Sequence, residues 1–411
     1  MSRTLRSIAV VALGFVFGDA ILWADAPAAV RAFEFTTSPP ASRSGRWLSG
    51  TERTAVILED GQTRTLANLQ RVQSTVTVRP TRPMAVVQIT SGDRLIARTL
   101  RWRDDQLHVT LVEGLLITIP LACIQSIVGP AGEADEAGQL WRLSPATDLL
   151  RLDRGESLSG DVEQLESTEL RFRPLKVADK LARVFDWQRV RGIAFARGLL
   201  ERPTTAKDDS LWILNRGSIV TAGRWERTAE GETRIWPVYA TGDAPEGVVV
   251  KDESLLSVDF FGPDRELLTN QKYTTTHAPS LLDPLPPQTN RNVRGDSLQV
   301  RGRPAARGFG VECGTTLEFR LERQFHTLQT AMAVDDAATD PFALPAVQLE
   351  FLIEVDDRMV FRSAPQTVAS PFLTIPPIDV REAQRLRLTV RAVNPVECRG
   401  FGNWIMPVLT K

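Results

Sequence analysis

The sequence predicts a mainly β protein, with repeated small β-meander or barrel units followed by a C-terminal antiparallel β-sandwich. Three observations predict it. Three segments share one layout, with turn glycines Gly92, Gly155 and Gly217 spaced 63 and 62 positions apart. Apolar and polar residues alternate with period two in stretches such as "LRLDRG" and "ELRFRPL", as in half-buried strands. Long helical periodicity is absent, and the one helix candidate is residues 176–190, "KVADKLARVFDWQRV".

Each repeat reads in the same order. An apolar strand runs to the turn glycine, which supplies the positive φ that a tight hairpin often needs. A second strand, a polar break and a third strand follow. An apolar pair three residues apart closes each unit: Ile124 and Ile127, Val190 and Ile193, Leu255 and Val258. The spacing places units at 86–128, 148–195 and 211–261 within a repeat region 29–262, and residues 45–72 read as a shorter fourth unit. Repeats of this kind usually make scaffolds or interaction surfaces. Trp102, Trp187, Trp212, Trp225 and Trp236 are expected in their core rather than as ligand platforms.

The two ends of the chain carry their own signals. Arg3 and Arg6 precede an apolar run from Ile8 to Phe17 and then small residues, the layout of a signal peptide over 1–28. Asp19 interrupts the run after about ten apolar residues, too few to span a bilayer. Export to the periplasm or the cell exterior is the expectation, with no stable membrane span after cleavage. The net charge of −1 over 411 residues offers no field of one sign for a polyanion, so nucleic acid is not an expected partner.

Residues 263–296 are rich in Pro, Thr and Asn and read as a linker. From 297 to 411 the chain is strand-dense, with about eight short strands, which indicates the sandwich. Three cysteines are present: Cys123 in an apolar run, and Cys313 and Cys398 in the C-terminal region. Export permits disulfides. Cys313 and Cys398 are the expected pair, although spacing does not fix connectivity.

The C-terminal order "GFGVECGTTLEFRLERQFHTLQTAMAVDD", then "VDDRMVFRSA", "IDVREAQRLRLTV" and "NWIMPVL" resembles the NPCBM family of carbohydrate-binding-type modules. The resemblance covers about 300–411 and implies a jelly roll like the galactose-binding modules. It implies a carbohydrate partner, or another component of the cell envelope. The chain departs from the family at two places. Glu312 stands where the family usually has His, and Asn403-Trp404 where it usually reads Asp-Trp.

Sugar recognition uses an aromatic face and planar polar groups that meet paired hydroxyls. Glu312, Arg399, Asn403 and Trp404 are the expected ligand set, against the alternative that Trp404 is buried and the others cap loops. Asp335 and Asp336 are candidate Ca²⁺ ligands, against a turn-capping role. Asp356 and Asp357 read as a hairpin turn. His108, His277 and His326 lack metal-ligand spacing, and no nucleophile elbow, P-loop or dinucleotide fingerprint occurs. The sequence therefore points to a non-enzymatic glycan-binding protein. The alternative is a structural or protein-interaction scaffold, which the two departures favour. A catalytic part within 30–262 would need two carboxylates facing across a cleft.

Overall fold

The computed structural model describes residues 32–37, 41–74, 83–132, 136–143, 145–175, 181–196, 201, 203, 209–240, 247–279, 283–296, 298–301, 303–338, 347–393 and 400–411. The signal-like segment, Arg399 and Cys398 lie outside them. Among the described residues no helix is long and apolar enough to cross a membrane.

Four five-stranded units fill residues 33–260. The first has β1 (Phe33–Thr37), β2 (Ala41–Thr51), β3 (Thr54–Glu59), β4 (Gln62–Leu66) and β5 (Leu69–Ser74). The second has β6 (Ala85–Ile89), β7 (Arg94–Arg103), β8 (Gln106–Leu111), β9 (Leu116–Pro120) and β10 (Ile124–Val128). The third has β11 (Asp148–Leu152), β12 (Ser157–Leu165), β13 (Glu169–Pro174), β14 (Arg183–Asp186) and β15 (Val190–Ala194). The fourth has β16 (Ser210–Leu214), β17 (Ile219–Arg227), β18 (Thr233–Pro237), β19 (Val248–Val250) and β20 (Leu255–Phe260). In each, four strands meander and the fifth returns to pair with the first. A register irregularity in the long second strand (for example Ala97/Thr99 and Ala222/Arg224) lets the sheet curl into a small barrel. The turn glycines Gly92, Gly155 and Gly217 have φ of 93°, 81° and 99°, a region that side chains rarely adopt.

The first unit is a full barrel, and it begins at Phe33 rather than at residue 45. Its closing pair is Leu69 and Val72, equivalent to the three pairs read from sequence, and all eight side chains are buried. These closing strands also join the barrels. β10 pairs with β15 so that Ile127 faces Ile193, and β20 pairs with β5 so that Val258 faces Val72. Equivalent residues thus meet, and each pair of barrels is related by a local pseudo-twofold. An aromatic cluster spans the first and fourth units: Trp47–Trp225 at 5.3 Å, Trp212–Trp225 at 6.0 Å and Trp225–Phe260 at 5.1 Å. Trp187 is also buried, whereas Trp102 and Trp236 are half-buried.

Two sequence expectations are corrected here. Within 176–190 there is no α-helix among the described residues. Residues 183–186 are strand β14, and Trp187–Arg189 is a single 3-10 turn with Asp186 accepting from the Gln188 N–H at 2.9 Å. The three-residue spacing of Trp187 and Val190 comes from that turn. Residues 263–296 are not a linker either. They supply β21 (Arg265–Leu267), β22 (Tyr273–His277) and β23 (Gln288–Thr289) to the C-terminal module. β22 reads "YTTTH", an edge strand whose residues are half-buried or exposed, so it shows no apolar period.

The module is a two-sheet sandwich. After a two-residue pair, β24 (Gln299–Val300) and β25 (Arg303–Pro304), come β26 (Gly308–Glu312), β27 (Thr315–Arg320), β28 (Thr327–Val334), β29 (Leu349–Val355) and β30 (Arg358–Arg362). β31 (Leu373–Thr374), β32 (Ile378–Asp379), β33 (Arg385–Ala392) and β34 (Phe401–Thr410) complete it. One sheet holds β23, β26, β34, β28 and β31, with β21 and β32 at its margins; the other runs β22, β27, β33, β29, β30. Asp356 and Asp357 form the two-residue β29–β30 turn, both at positive φ (47° and 67°), as a tight primed hairpin requires.

Buried polar contacts seat the module on the barrels. The Arg307 guanidinium pairs with Asp93 and donates to Thr221 Oγ1 at 2.7 Å. Asp93 also accepts from the Thr221 N–H and hydroxyl, both at 2.7 Å. The side chains of Arg307 and Asp93 are 6% and 0% exposed. Arg265 donates to the Gln70 and Phe260 carbonyls at 3.0 and 2.6 Å, and Arg53 pairs with Asp264.

Two substitutions test these joints. Ile127→Ala removes a side chain at the centre of a strand that two barrels share. It should cost about 2–5 kcal/mol in urea unfolding, and a loss below about 1 kcal/mol would show that the shared strand tolerates a cavity. Arg307→Ala leaves Asp93 buried and unpaired and should cost about 3–5 kcal/mol, with the double variant Arg307→Ala, Asp93→Ala losing less than the single. Equal losses would mean that the unpaired Asp93 carboxylate is not the source of the cost.

Candidate functional site

The Gly-rich opening strand of the module and its closing strand are antiparallel neighbours. β26 pairs with β34, placing Phe309 opposite Trp404, Gly310 opposite Asn403 and Glu312 opposite Phe401. The sequence-predicted residues Glu312, Asn403 and Trp404 are therefore brought together. They do not face solvent.

Trp404 is 0% exposed and packs edge-on against Phe351, with ring centroids 5.2 Å apart and an interplanar angle of 87°. Its expected role as a sugar platform is corrected: the ring is core. Glycines around it serve close packing. A Cβ on Gly310 would sit 2.4 Å from the Arg291 carbonyl oxygen, and one on Gly402 would sit 2.9 Å from Val390 Cγ1. Asn403, also 0% exposed, donates through Nδ2 to Asp335 Oδ2. Glu312 is buried and accepts the Leu285 N–H at 2.6 Å. Arg399 lies outside the described residues. So does Cys398, though the Cys313 N–H donates to the Gly400 carbonyl at 2.7 Å, two positions from it.

Asp335 is a structural hub rather than a cation ligand. It accepts from Asn292 Nδ2 at 3.0 Å, from the Ala337 N–H at 2.9 Å and from the Gln299 N–H at 3.3 Å, besides Asn403. Donors already point at both carboxylate oxygens, and a cation there would meet their positive ends. Asp336 accepts the Arg301 N–H at 2.6 Å. Among the described residues no group of three or more His, Cys, Asp or Glu gathers as a metal would need. Burial pushes the Asp335 carboxyl above its ordinary value, and the bonds from Asn403, Ala337, Gln299 and Asn292 pull the other way.

A concave feature lies elsewhere, in the seam between barrels and module. It is a groove of about 850 Å³. One wall is the hairpin turn of the second unit, Thr90 to Gly92, with the start of β16 beside it. The other wall is the approach to β22 and the end of β23, including Asn270, Gln271, Lys272, Tyr273 and Asn290. Arg307 and Thr221 line its base. Gln271 Nε2 donates to Glu266 Oε1 at 2.9 Å, and the Tyr273 hydroxyl lies 3.4 Å from Thr289 Oγ1. None of these residues stood out in the sequence. The available signal was the amide-rich "TNQKY" and "TNRN", which fall in the stretch read as linker.

The fold and these contacts define a β-repeat protein that carries a C-terminal two-sheet sandwich module. Residues 270–410 match the NPCBM/NEW2 domain, so the match begins some thirty residues before the point where the sequence resemblance was drawn. No curated protein matches the chain. Among solved structures, a CBM51 module from Clostridium perfringens in complex with methyl-galactose is similar at 15% identity over 36% of this chain and 99% of that one, with a TM-score of 0.30. The CBM51-2 and INT domains of Clostridium perfringens ZmpB, with GlcNAc, match at 12% identity over 51% of this chain and 39% of that one, with a TM-score of 0.32. Tandem CBM51 modules of a family 98 glycoside hydrolase from Streptococcus pneumoniae match at 9% identity over 92% and 88%, with a TM-score of 0.29.

The raised Asp335 value fixes the sign of its linkage to stability. The folded chain holds this proton more tightly than the unfolded chain does. Asp335 therefore works against stability as pH rises from the ordinary aspartate value through the folded one. An NMR titration of its carboxyl should read above the ordinary value, and a reading at or below it would show that the four hydrogen bonds outweigh burial.

Proposed function

We propose that this protein is exported and binds carbohydrate through its C-terminal module without acting on it chemically. One observation carries the reading: residues 270–410 match a carbohydrate-binding-type domain family. The layout of the first 28 residues supports export to the periplasm or the cell exterior. The polar seam groove supports a ligand rich in hydroxyls, which both donate and accept hydrogen bonds.

A second reading is favoured by a different observation. Of the residues expected to hold sugar, Glu312, Asn403 and Trp404 are buried. That is the arrangement of a module whose sandwich serves as a scaffold or a protein-interaction unit.

Binding of the purified full chain to a glycan array, with Ca²⁺ and with a chelator, separates the two. The glycan reading expects binding to carbohydrate that the chelator leaves unchanged, because Asp335 and Asp336 are occupied by N–H donors. A folded chain that binds no glycan would sink that reading and leave the scaffold. Binding abolished by the chelator would overturn the metal-free part.

A further inference from the structure

We propose that the seam groove is a composite site for a neutral oligosaccharide, and that the barrels build one of its walls. This deepens the glycan reading and rests on it. The repeats would then be part of the binding apparatus and not only its support.

Size comes first. At about 850 Å³ the groove falls in the upper part of the ~300–1,000 Å³ range of small-molecule sites. Its walls are far apart in sequence and close in space. A Cβ built on Gly92 of the barrel turn would lie 3.3 Å from Asn290 Nδ2 of the module. The Arg307–Asp93–Thr221 contacts run beneath, so the two walls are held in register by buried bonds. A site whose walls are fixed before binding does not spend binding energy on ordering them.

The lining chemistry selects the ligand. Asn270 and Lys272 make no hydrogen bond within the described residues, and both are exposed on the groove rim. Gln271 commits one amide hydrogen to Glu266, and its carbonyl oxygen is not used in that bond. Amides and hydroxyls offer donors and acceptors side by side, as sugar hydroxyls do. Half-buried Tyr273 adds an aromatic edge. A polyanion is disfavoured, because Arg307 is neutralised by Asp93 and the lining also carries the carboxylates of Asp209 and Glu266. An apolar ligand would strand these polar groups without partners.

The test uses the full chain against an array of neutral hexose and N-acetylhexosamine oligosaccharides, with uronate oligosaccharides beside them. Ser91→Trp fills the groove from the barrel wall, outside the 270–410 module. Asn270→Ala with Lys272→Ala strips the module wall. Each should weaken binding of the neutral oligosaccharides at least tenfold, while all variants keep the wild-type thermal midpoint. Should Ser91→Trp lower that midpoint, Ser91→Gln gives a milder block of the same wall. Wild-type binding that ignores Ser91→Trp and Ser91→Gln overturns the composite site and leaves the glycan reading standing. Preference for the uronate set overturns the choice of a neutral ligand. A wild-type chain that binds nothing on the array overturns both the site and the reading beneath it.

Discussion

The closing strand of each barrel is the constraint on which the remaining architecture depends. A unit of about forty residues is near the lower limit for a self-sufficient core. Each unit here buries its meander by returning a fifth strand to the first. That strand would otherwise present an open edge, and open edges pair with whatever is available. In this chain the closing strands pair with each other, β10 with β15 and β5 with β20. The Ile127/Ile193 and Val72/Val258 registers place like against like, so one solution serves both joints. The first unit is thereby bound to the fourth, and the repeat region closes on itself through contacts between its two ends rather than stacking as an open row.

Closure of that kind presents a fixed surface to the module. The joint there is polar and its charged side chains are buried, which is costly where they are not paired. Asp93 is met by Arg307 and Thr221, and Arg265 meets backbone carbonyls on two different strands. Such a joint adds little net stability over an apolar one, but a shift in orientation would leave buried charges unpaired. It therefore specifies a single docking. Asp93 follows the turn glycine of the second unit directly, so the same hairpin that shapes a barrel also seats the module.

What was legible in the sequence was local. The turn glycines, the apolar closing pairs and the Asp356–Asp357 hairpin each depend on a few neighbouring residues, and each leaves a readable spacing. Long-range pairings leave none: nothing near Ile127 states that Ile193 is its partner. β22 was hidden because an edge strand with no fully buried residue shows no apolar period, and "YTTTH" has the composition of a linker. Trp404 was ambiguous for a physical reason. Glycine beside an aromatic makes room for a ring, and sequence does not say whose ring. Here Gly402 lies against Phe351 and Val390, so the space belongs to the core. The groove residues were invisible because a seam between two units is set by docking, which no spacing encodes.

The two departures from the family pattern acquire a shared explanation in these contacts. Asn403 stands where the family usually has aspartate, and its amide donates to the buried Asp335. An aspartate there would set two carboxylates against each other at a site with no exposure, and one would have to take up a proton. Glu312 stands where the family usually has histidine, and it accepts the Leu285 N–H, tying down the segment that leads to β23. Both residues are committed inward here. Glu312 holds Leu285 directly, and Asn403 is linked to 283–296 through Asp335. Asn292 reaches the same Asp335, and Asn290, two positions earlier, lies on the groove wall beside Gly92. The hydrogen bonds of Asp335 and Glu312 thus hold in place the segment that borders the seam. If this module recognises a ligand, the physics that closes one face is the same physics that positions the other.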